Sequence, residues 1–302
     1  MRWVLVACGA VVLMLGLAGH AWACSQCMCG TPFPSDVLGG VVPSRFAYGL
    51  EERYLSKSNA LDEGPGKEQE REHRVAAFGL WRPRNQLAFI GRVPYNFKEI
   101  TSRPEGDVAS TQRSRGIGDA ELLLLAGLAR GSEQVPLTLG LVLGAVAPTG
   151  SNEAKDSSGE RLDAHLQPGA GAWSGTAGLH AALAGSHGTW DASLLGRTSG
   201  KNIHGYRYGD VLLYNAGFTS RAWRGLQLLA QINGRTAKRD RLEDGTQGEN
   251  TGGGVTYLAP GLHWRTGLGV TAEAAVQVPI TQSLFGEQTE HTTGRLTITI
   301  NR

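Results

Sequence analysis

Long stretches of this chain alternate apolar with small or polar residues at a period of two, and this pattern constrains the fold most strongly. In residues 137–147, leucine or alanine fills every odd position, and threonine, glycine or valine fills every even one. Residues 226–233 and 268–280 also alternate, and there the apolar residues occupy every even position. Because successive side chains of a β-strand point to opposite faces, each stretch predicts a strand with one apolar face.

The same test predicts twelve strands along the chain. Most of them reach the roughly 9–11 residues that a tilted strand needs to cross a bilayer, whereas strands of soluble proteins average about 5–6. This length favours membrane-spanning strands. The predicted strands are 43–55, 73–82, 86–99, 117–130, 136–148, 169–184, 188–198, 206–220, 224–235, 254–262, 265–280 and 292–301.

The predicted connections alternate in length. Long polar segments, such as 56–72, 100–116 and 150–168, are followed by short ones, such as 83–85 and 131–135. Up-and-down bacterial barrels have tight turns at one end and long loops at the other. Since hydrocarbon cannot satisfy an open sheet edge, the strands must also close on themselves. The sequence therefore predicts an all-β fold, a closed antiparallel transmembrane β-barrel of about twelve strands over residues 43–302.

Composition is consistent with this fold. Glycine contributes 43 of 302 residues, about twice its average share of roughly 7%. After residue 24, no run reaches the ~18–20 apolar residues that a helical membrane span requires. The formal charge is +2 with acids and bases interspersed, so nothing indicates a nucleic-acid partner. Aromatic residues near predicted strand ends are typical of the girdles at lipid headgroup level.

The N-terminus has the pattern of a secretory signal peptide. Arg2 supplies a positive charge, residues 4–18 an apolar run, and Ala21-Trp22-Ala23 a cleavage pattern. We therefore expect residues 1–23 to direct export and to be removed. Together with the strand pattern, this predicts the outer membrane of a Gram-negative cell, with membrane lipid and the barrel-insertion machinery as partners.

Residues 24–42 form a predicted cysteine-rich periplasmic segment before the barrel. Cys24, Cys27 and Cys29 remain after cleavage, because Cys8 leaves with the signal peptide. An odd number of thiols in an oxidising compartment allows one disulfide with a spare thiol. Alternatively, the closely spaced sulfurs, with Met28 among them, would bind copper or zinc, or Cys24 would be acylated.

The strand faces opposite the apolar ones carry polar side chains, as a water-filled interior requires. Leucine and valine share this face, which indicates a partly apolar path. No nucleophile motif accompanies the histidines, so we do not expect an enzyme. The residues predicted to line the lumen are Arg45, Arg53, Arg92, Glu121, His180, Asp191, Arg197, Asn215, Gln231, Glu273 and Gln277.

Three short motifs resemble a known family. They are Gly-Ile-Gly-Asp at 116–119, Ala-Pro-Thr-Gly at 147–150, and Leu-Gln-Pro-Gly-Ala-Gly-Ala-Trp at 166–173. In this order and spacing they resemble the putative MetA-pathway of phenol degradation proteins, a family of outer-membrane transporter-like barrels. The resemblance covers roughly residues 115–220.

The resemblance implies a transporter-like barrel, and the family's name implies an aromatic solute. We therefore expect a channel or transporter for a small, hydrophobic or aromatic solute, with no cofactor. The alternative is a metal- or redox-linked envelope protein that acts through Cys24, Cys27 and Cys29, with the barrel as an anchor. A third interpretation is a structural barrel with no conducting path.

Overall fold

The computed structural model describes residues 44–61, 65–131 and 136–302, and every described element is a β-strand. No helix in these three ranges is long and apolar enough to cross a membrane. The strands are β1 (Phe46–Ala60), β2 (Gly66–Arg84), β3 (Leu87–Pro104), β4 (Ser110–Ile117), β5 (Ala120–Arg130), β6 (Leu137–Ala147), β7 (Ser174–Ala184), β8 (Gly188–Ser199), β9 (Val211–Ser220), β10 (Leu226–Ala237), β11 (Gly253–Arg265), β12 (Val270–Leu284), β13 (Thr289–Glu290) and β14 (Thr293–Asn301).

The strands form one closed antiparallel barrel, as predicted. Most strands pair with their sequence neighbours, but β3 pairs with β5 as well as β4, and β12 pairs with β14. Because β1 pairs with both β2 and β14, the described strands form a closed ring. Strands β4 and β5 both pair with β3 and together occupy one position in the barrel wall. Strands β13 and β14 both pair with β1 and likewise occupy one position. The wall therefore has twelve positions.

The apolar faces of the strands point outward. On β6, Leu139 and Leu143 are 40% and 41% exposed, whereas Val142 between them is fully buried. Strands β10, β12 and β14 show the same alternation, with exposed leucine, isoleucine or valine on the outer face. The prediction that the apolar face of each strand lies on the outside of the barrel is confirmed for these strands.

Exposed aromatic side chains lie at both ends of this apolar belt. Phe46, Trp81, Trp190 and Trp264 lie near the ends of strands joined by short turns, and Trp223 lies in such a turn. At the opposite end, Tyr95, Phe97 and Trp173 are exposed. Two aromatic girdles on either side of an aliphatic band are the outer surface expected of a transmembrane barrel.

Two of the predicted long loops are wrong. Residues 56–72 and 100–116 continue the strand pairs β1–β2 and β3–β4, which leaves much shorter turns. These extensions carry polar residues on both faces and therefore lack the apolar alternation used for prediction. Cross-strand ion pairs hold them instead, for example Lys57 Nζ to Glu70 Oε2 at 2.8 Å.

Several predicted strand boundaries are also wrong. The strand predicted at 117–130 is interrupted at residues 118–119, and those predicted to start at 169 and 206 start at Ser174 and Val211. The strand predicted at 265–280 runs instead from Val270 to Leu284. The segments just before β7 and β9 belong to loops that fold against the barrel interior, so their alternation reflects loop packing.

Candidate functional site in the barrel interior

The interior has two chemically different walls. The charged wall consists of the acidic and basic side chains buried on the inner faces of β1, β2, β3, β12 and β14. The apolar wall consists of the leucine and valine side chains buried on the inner faces of β5, β6, β8 and β9, and Leu80 of β2 and Ile90 of β3 belong to the same cluster. The charged wall carries Glu51, Arg53, Glu72, Arg74, Arg92, Glu273 and Arg295. The apolar wall carries Leu123, Leu125, Val142, Leu195 and Leu213, each 7% exposed or less.

On the charged wall, ion pairs form along and between strands. Arg53 Nε lies 2.8 Å from Glu51 Oε1, and Arg74 Nη2 lies 2.6 Å from Glu72 Oε1. Residues two apart on a strand share a face, so these pairs follow directly from the sequence spacing. Arg295 of β14 contacts Glu273 of β12 at 2.5 Å.

One carboxylate connects the two walls. Glu121, which opens the inner face of β5, lies 2.5 Å from Arg197 Nη2 of β8 and 3.5 Å from Arg92 Nη1 of β3. The Arg197 guanidinium reaches Glu121 over β6 and β7, and its Nε also donates to Thr176 Oγ1 at 3.0 Å. This three-residue bridge narrows the interior.

Amide side chains, together with the carboxylate of Asp191, occupy another part of the inner surface. Asn215 Nδ2 donates to Asp191 Oδ2 at 2.6 Å, and Gln277 Nε2 donates to Asn233 Oδ1 at 3.1 Å. His180 is buried on β7 against Gly140 of β6, whose missing side chain makes room for the ring.

The structure places most of the predicted lumen residues on the inner face. Arg45 is the exception, because it is exposed and precedes the first residue of β1. Arg197 is 10% exposed at its side chain, and the following residues are buried on inner faces: Arg53, Arg92, Glu121, His180, Asp191, Asn215, Gln231, Glu273 and Gln277. A role for any of them in conduction remains a prediction.

The segment 148–173, which we call the inward loop, folds into the mouth of the barrel. Its residues Leu162, Leu166 and Gln167 are buried, and the two leucines pack on Ile100 of β3. Asp119, at the break between β4 and β5, anchors both ends of the loop. Its Oδ1 accepts from Gly150 N at 2.9 Å and its Oδ2 from Ala170 N at 2.7 Å.

The three motifs that carry the family resemblance meet at this anchor. A Cβ on Gly150 would lie 2.8 Å from backbone atoms of Gly118 and Gly169, closer than atoms tolerate. Asn96 Nδ2 also donates to Pro168 O at 2.7 Å. The glycines of these motifs therefore allow three backbone segments to pack in direct contact.

The loops 200–210 and 238–252 complete the cap over the mouth. Tyr206 Oη donates to Asp240 Oδ2 at 2.7 Å, and Gly209 N donates to Asp240 Oδ1 at 2.8 Å. Tyr208 Oη donates to Ala164 O of the inward loop at 2.9 Å. Tyr206 and Tyr208 lie in the strand predicted at 206–220, and Asp119 lies in one of the three motifs, but no sequence pattern indicated their contacts in the cap. Asp240 belongs to no pattern and was not predicted.

At the rim of the mouth, Asp210 contacts Arg207 at 2.9 Å and Lys238 at 3.0 Å. Partial burial opposes ionisation of Asp210. The hydrogen bonds from Thr198 and Lys238 and the two nearby positive charges outweigh it, so the pKa of the carboxyl lies below its ordinary value.

A cavity of about 80 Å³, which we call the inner cavity, lies between the inward loop and the Glu121 bridge. It touches both walls, because β3 and β5 contribute charged side chains and β6 and β9 contribute valines. Its lining consists of Arg74, Arg92, Pro94, Asn96, Asp119, Glu121, Val146, Pro168, Ala170, Ser174, Arg197, Ser199, Tyr208 and Val211.

The predicted metal or redox site at Cys24, Cys27 and Cys29 lies outside the described residues, as do the predicted signal peptide and the rest of residues 24–42. Within the part of the chain that is described, no three His, Cys, Asp or Glu side chains are arranged to hold a metal ion. The copper or zinc site therefore stays a prediction.

The sequence matches no protein-family model, and no curated protein matches it. Among solved structures, the barrel is similar to an outer membrane channel from Pseudomonas putida F1, with a TM-score of 0.65 and 14% identity over 89% of this chain and 98% of that chain. It is also similar to the transport unit of the autotransporter AIDA-I from Escherichia coli, with a TM-score of 0.52 and 11% identity over 92% and 94% of the two chains.

At these identities the likeness shows a shared fold, that of outer-membrane β-barrels. The resemblance to the phenol-degradation family stays a prediction, because no family model matches the sequence.

Proposed function

We propose that this protein is an outer-membrane channel that admits a small solute with a hydrophobic or aromatic part. The observation that carries the proposal is the division of a closed barrel's interior into a charged wall and an apolar wall. A path between two such walls gives both parts of an amphipathic solute a favourable surface. A purely aqueous pore would need no apolar wall.

The outer surface supports a position in lipid. An aliphatic belt between two aromatic girdles matches the cross-section of a bilayer, and such barrels reside in outer membranes. The fold shared with an outer membrane channel supports the same location. We propose passage of the solute without chemical change, because the fold is shared with an outer membrane channel.

The path is narrow. The Glu121 bridge crosses the interior, and the inward loop, anchored by Asp119, covers its mouth. We therefore expect a small conductance that depends on the position of this loop.

The test is reconstitution of the mature chain in planar bilayers with conductance measurement. The wild type should give small discrete steps. Asp119→Ala removes both hydrogen bonds to the inward loop and should enlarge the steps or make them noisier. Glu105→Ala, at an exposed position in the turn between β3 and β4, is the control and should conduct like the wild type. Flat traces from correctly folded wild-type protein would contradict the proposal.

A further inference from the structure

We propose that the inner cavity binds a small organic carboxylate with an apolar body, for which benzoate is a suitable probe. This inference deepens the proposed function and rests on it, because the solute must enter the barrel to reach the cavity.

The lining carries more positive than negative charge. Arg74, Arg92 and Arg197 contribute three guanidinium groups, against the two carboxylates of Asp119 and Glu121. The charges directly behind the lining balance each other, since Lys98 lies close to Glu72 and Arg53 pairs with Glu51. One positive charge therefore remains for a solute to compensate.

The arrangement of these groups favours a carboxylate over other anions. Two guanidinium groups, Arg92 and Arg197, contact the single carboxylate of Glu121. The other carboxylate, Asp119, accepts backbone N–H groups of the inward loop. Guanidinium groups bind planar carboxylates through paired hydrogen bonds, so a second carboxylate fits beside Glu121.

Apolar groups make up another part of the lining, which we call the apolar side. They are two prolines, two valines, one alanine and the ring of Tyr208, which is held in place by the hydrogen bond to Ala164 O. An aromatic ring or a short alkyl chain would lose water-exposed surface against this side. A fully polar anion, such as acetate or phosphate, would leave it unused.

A buried acceptor shows that the cavity must supply a hydrogen-bond donor. Asn96 is 4% exposed, and its Oδ1 has no hydrogen-bond partner among the described residues, whereas its Nδ2 is used by Pro168 O. Buried acceptors are normally satisfied, so we expect a water molecule bound beside the carboxylate to donate one hydrogen to Asn96 Oδ1 and another to the solute.

The size of the cavity limits the ligand. Its volume of about 80 Å³ is far below the roughly 300–1,000 Å³ of sites for drug-sized ligands. One ring or one short chain with a carboxylate is the upper limit without movement of the inward loop.

The test is calorimetric titration of the folded mature protein in detergent with benzoate, benzyl alcohol and acetate. Benzoate should bind, and the other two should bind about tenfold more weakly or less, because each lacks one of the two required parts. Equal affinity for benzoate and benzyl alcohol would overturn the role of the guanidinium groups. Equal affinity for benzoate and acetate would overturn the role of the apolar side.

Two variants locate the site. Arg197→Gln should weaken benzoate binding about tenfold or more. Arg115→Gln removes an exposed guanidinium of β4 that lies outside the lining, and it should leave the affinity unchanged. If Arg197→Gln does not fold, Ser174→Asp adds a carboxylate to the lining without removing an ion pair, and it should abolish binding. Benzoate affinity that is unchanged in the folded lining variant would overturn the proposed site.

The conductance experiment separates this inference from the proposed function. A conducting protein that does not bind benzoate would overturn the inference and leave the channel intact. Benzoate binding by a protein with flat traces would support the cavity and contradict the channel.

Discussion

The charged wall and the apolar wall face each other in one barrel, yet different interactions stabilise them. On the charged wall, buried side chains form ion pairs that are short and directional. On the apolar wall, glycines leave room for the side chains of neighbouring strands, since Leu123 packs against Gly144 and the His180 ring packs against Gly140. Stability therefore falls on the charged wall when a buried charge loses its partner, and on the apolar wall when a side chain changes in volume.

The largest expected effect comes from removing the carboxylate that joins the two walls. Glu121→Ala takes away the group that both Arg92 and Arg197 contact, and it should lower the free energy of unfolding by about 3–5 kcal/mol. Urea unfolding in detergent, followed by tryptophan fluorescence, measures this change. Glu160→Ala, at an exposed position of the inward loop, should change it by less than about 0.5 kcal/mol. Similar values for the two variants would show that the bridge contributes no more to the free energy of unfolding than an exposed side chain does.

A somewhat smaller effect is expected from truncating the apolar wall. Leu123→Ala creates a cavity at a fully buried position and should cost about 2–5 kcal/mol in the same assay. The adjacent Leu122 is 56% exposed on the outer face, so Leu122→Ala should cost clearly less. If the order of the two variants were reversed, the assignment of inner and outer faces on β5 would be wrong.

Enlarging a glycine of the apolar wall should cost about 1–3 kcal/mol. A Cβ at Gly140 would overlap the Nε2 atom of His180, so Gly140→Ala should be destabilising. Gly175→Ala is the matched control, since a Cβ there meets nothing within 4 Å. Adding His180→Ala to Gly140→Ala should recover part of the loss. No recovery would mean that the overlap is not the cause.

The smallest effect is expected for a charge pair at the open mouth. Asp210→Asn should cost less than about 1 kcal/mol at neutral pH, because solvent screens its contacts with Arg207 and Lys238. Since the folded state lowers the pKa of Asp210, its contribution is present above the unfolded value and is lost as the pH falls below about 4. Unfolding of wild type and variant at pH 7 and pH 3 should therefore show a difference that shrinks in acid. A difference that grows in acid would contradict the direction of the pKa shift.

Strand number, closure and facing could be predicted because they depend on a local pattern. Alternation at 137–147 and 226–233 predicted which side chains meet lipid, and the outer faces of β6 and β10 confirm it. The hairpin extensions at 56–72 and 100–116 could not be predicted in this way. They have no apolar face, and their pairing depends on charges in opposite strands, such as Glu99 with Arg113 at 2.7 Å.

The candidate site was predictable only in part. The inner-face positions of Arg92, Glu121 and Arg197 follow from their alternation, but the contact between Glu121 and Arg197 joins residues 76 apart in sequence. The contacts that anchor the inward loop could not be predicted from the sequence. Asp119 and the glycines at 118, 150 and 169 appeared as separate turn motifs, and nothing local shows that their backbones touch.

The sequence by itself determined a closed barrel with an apolar outside and a mixed inside, because side-chain direction in a strand depends only on its position in the alternation. The tertiary structure decided which inner residues share a wall, where the inward loop enters and which side chains line the cavity. These features depend on strand register and on loop packing between distant segments. Neither leaves a periodic trace in the sequence.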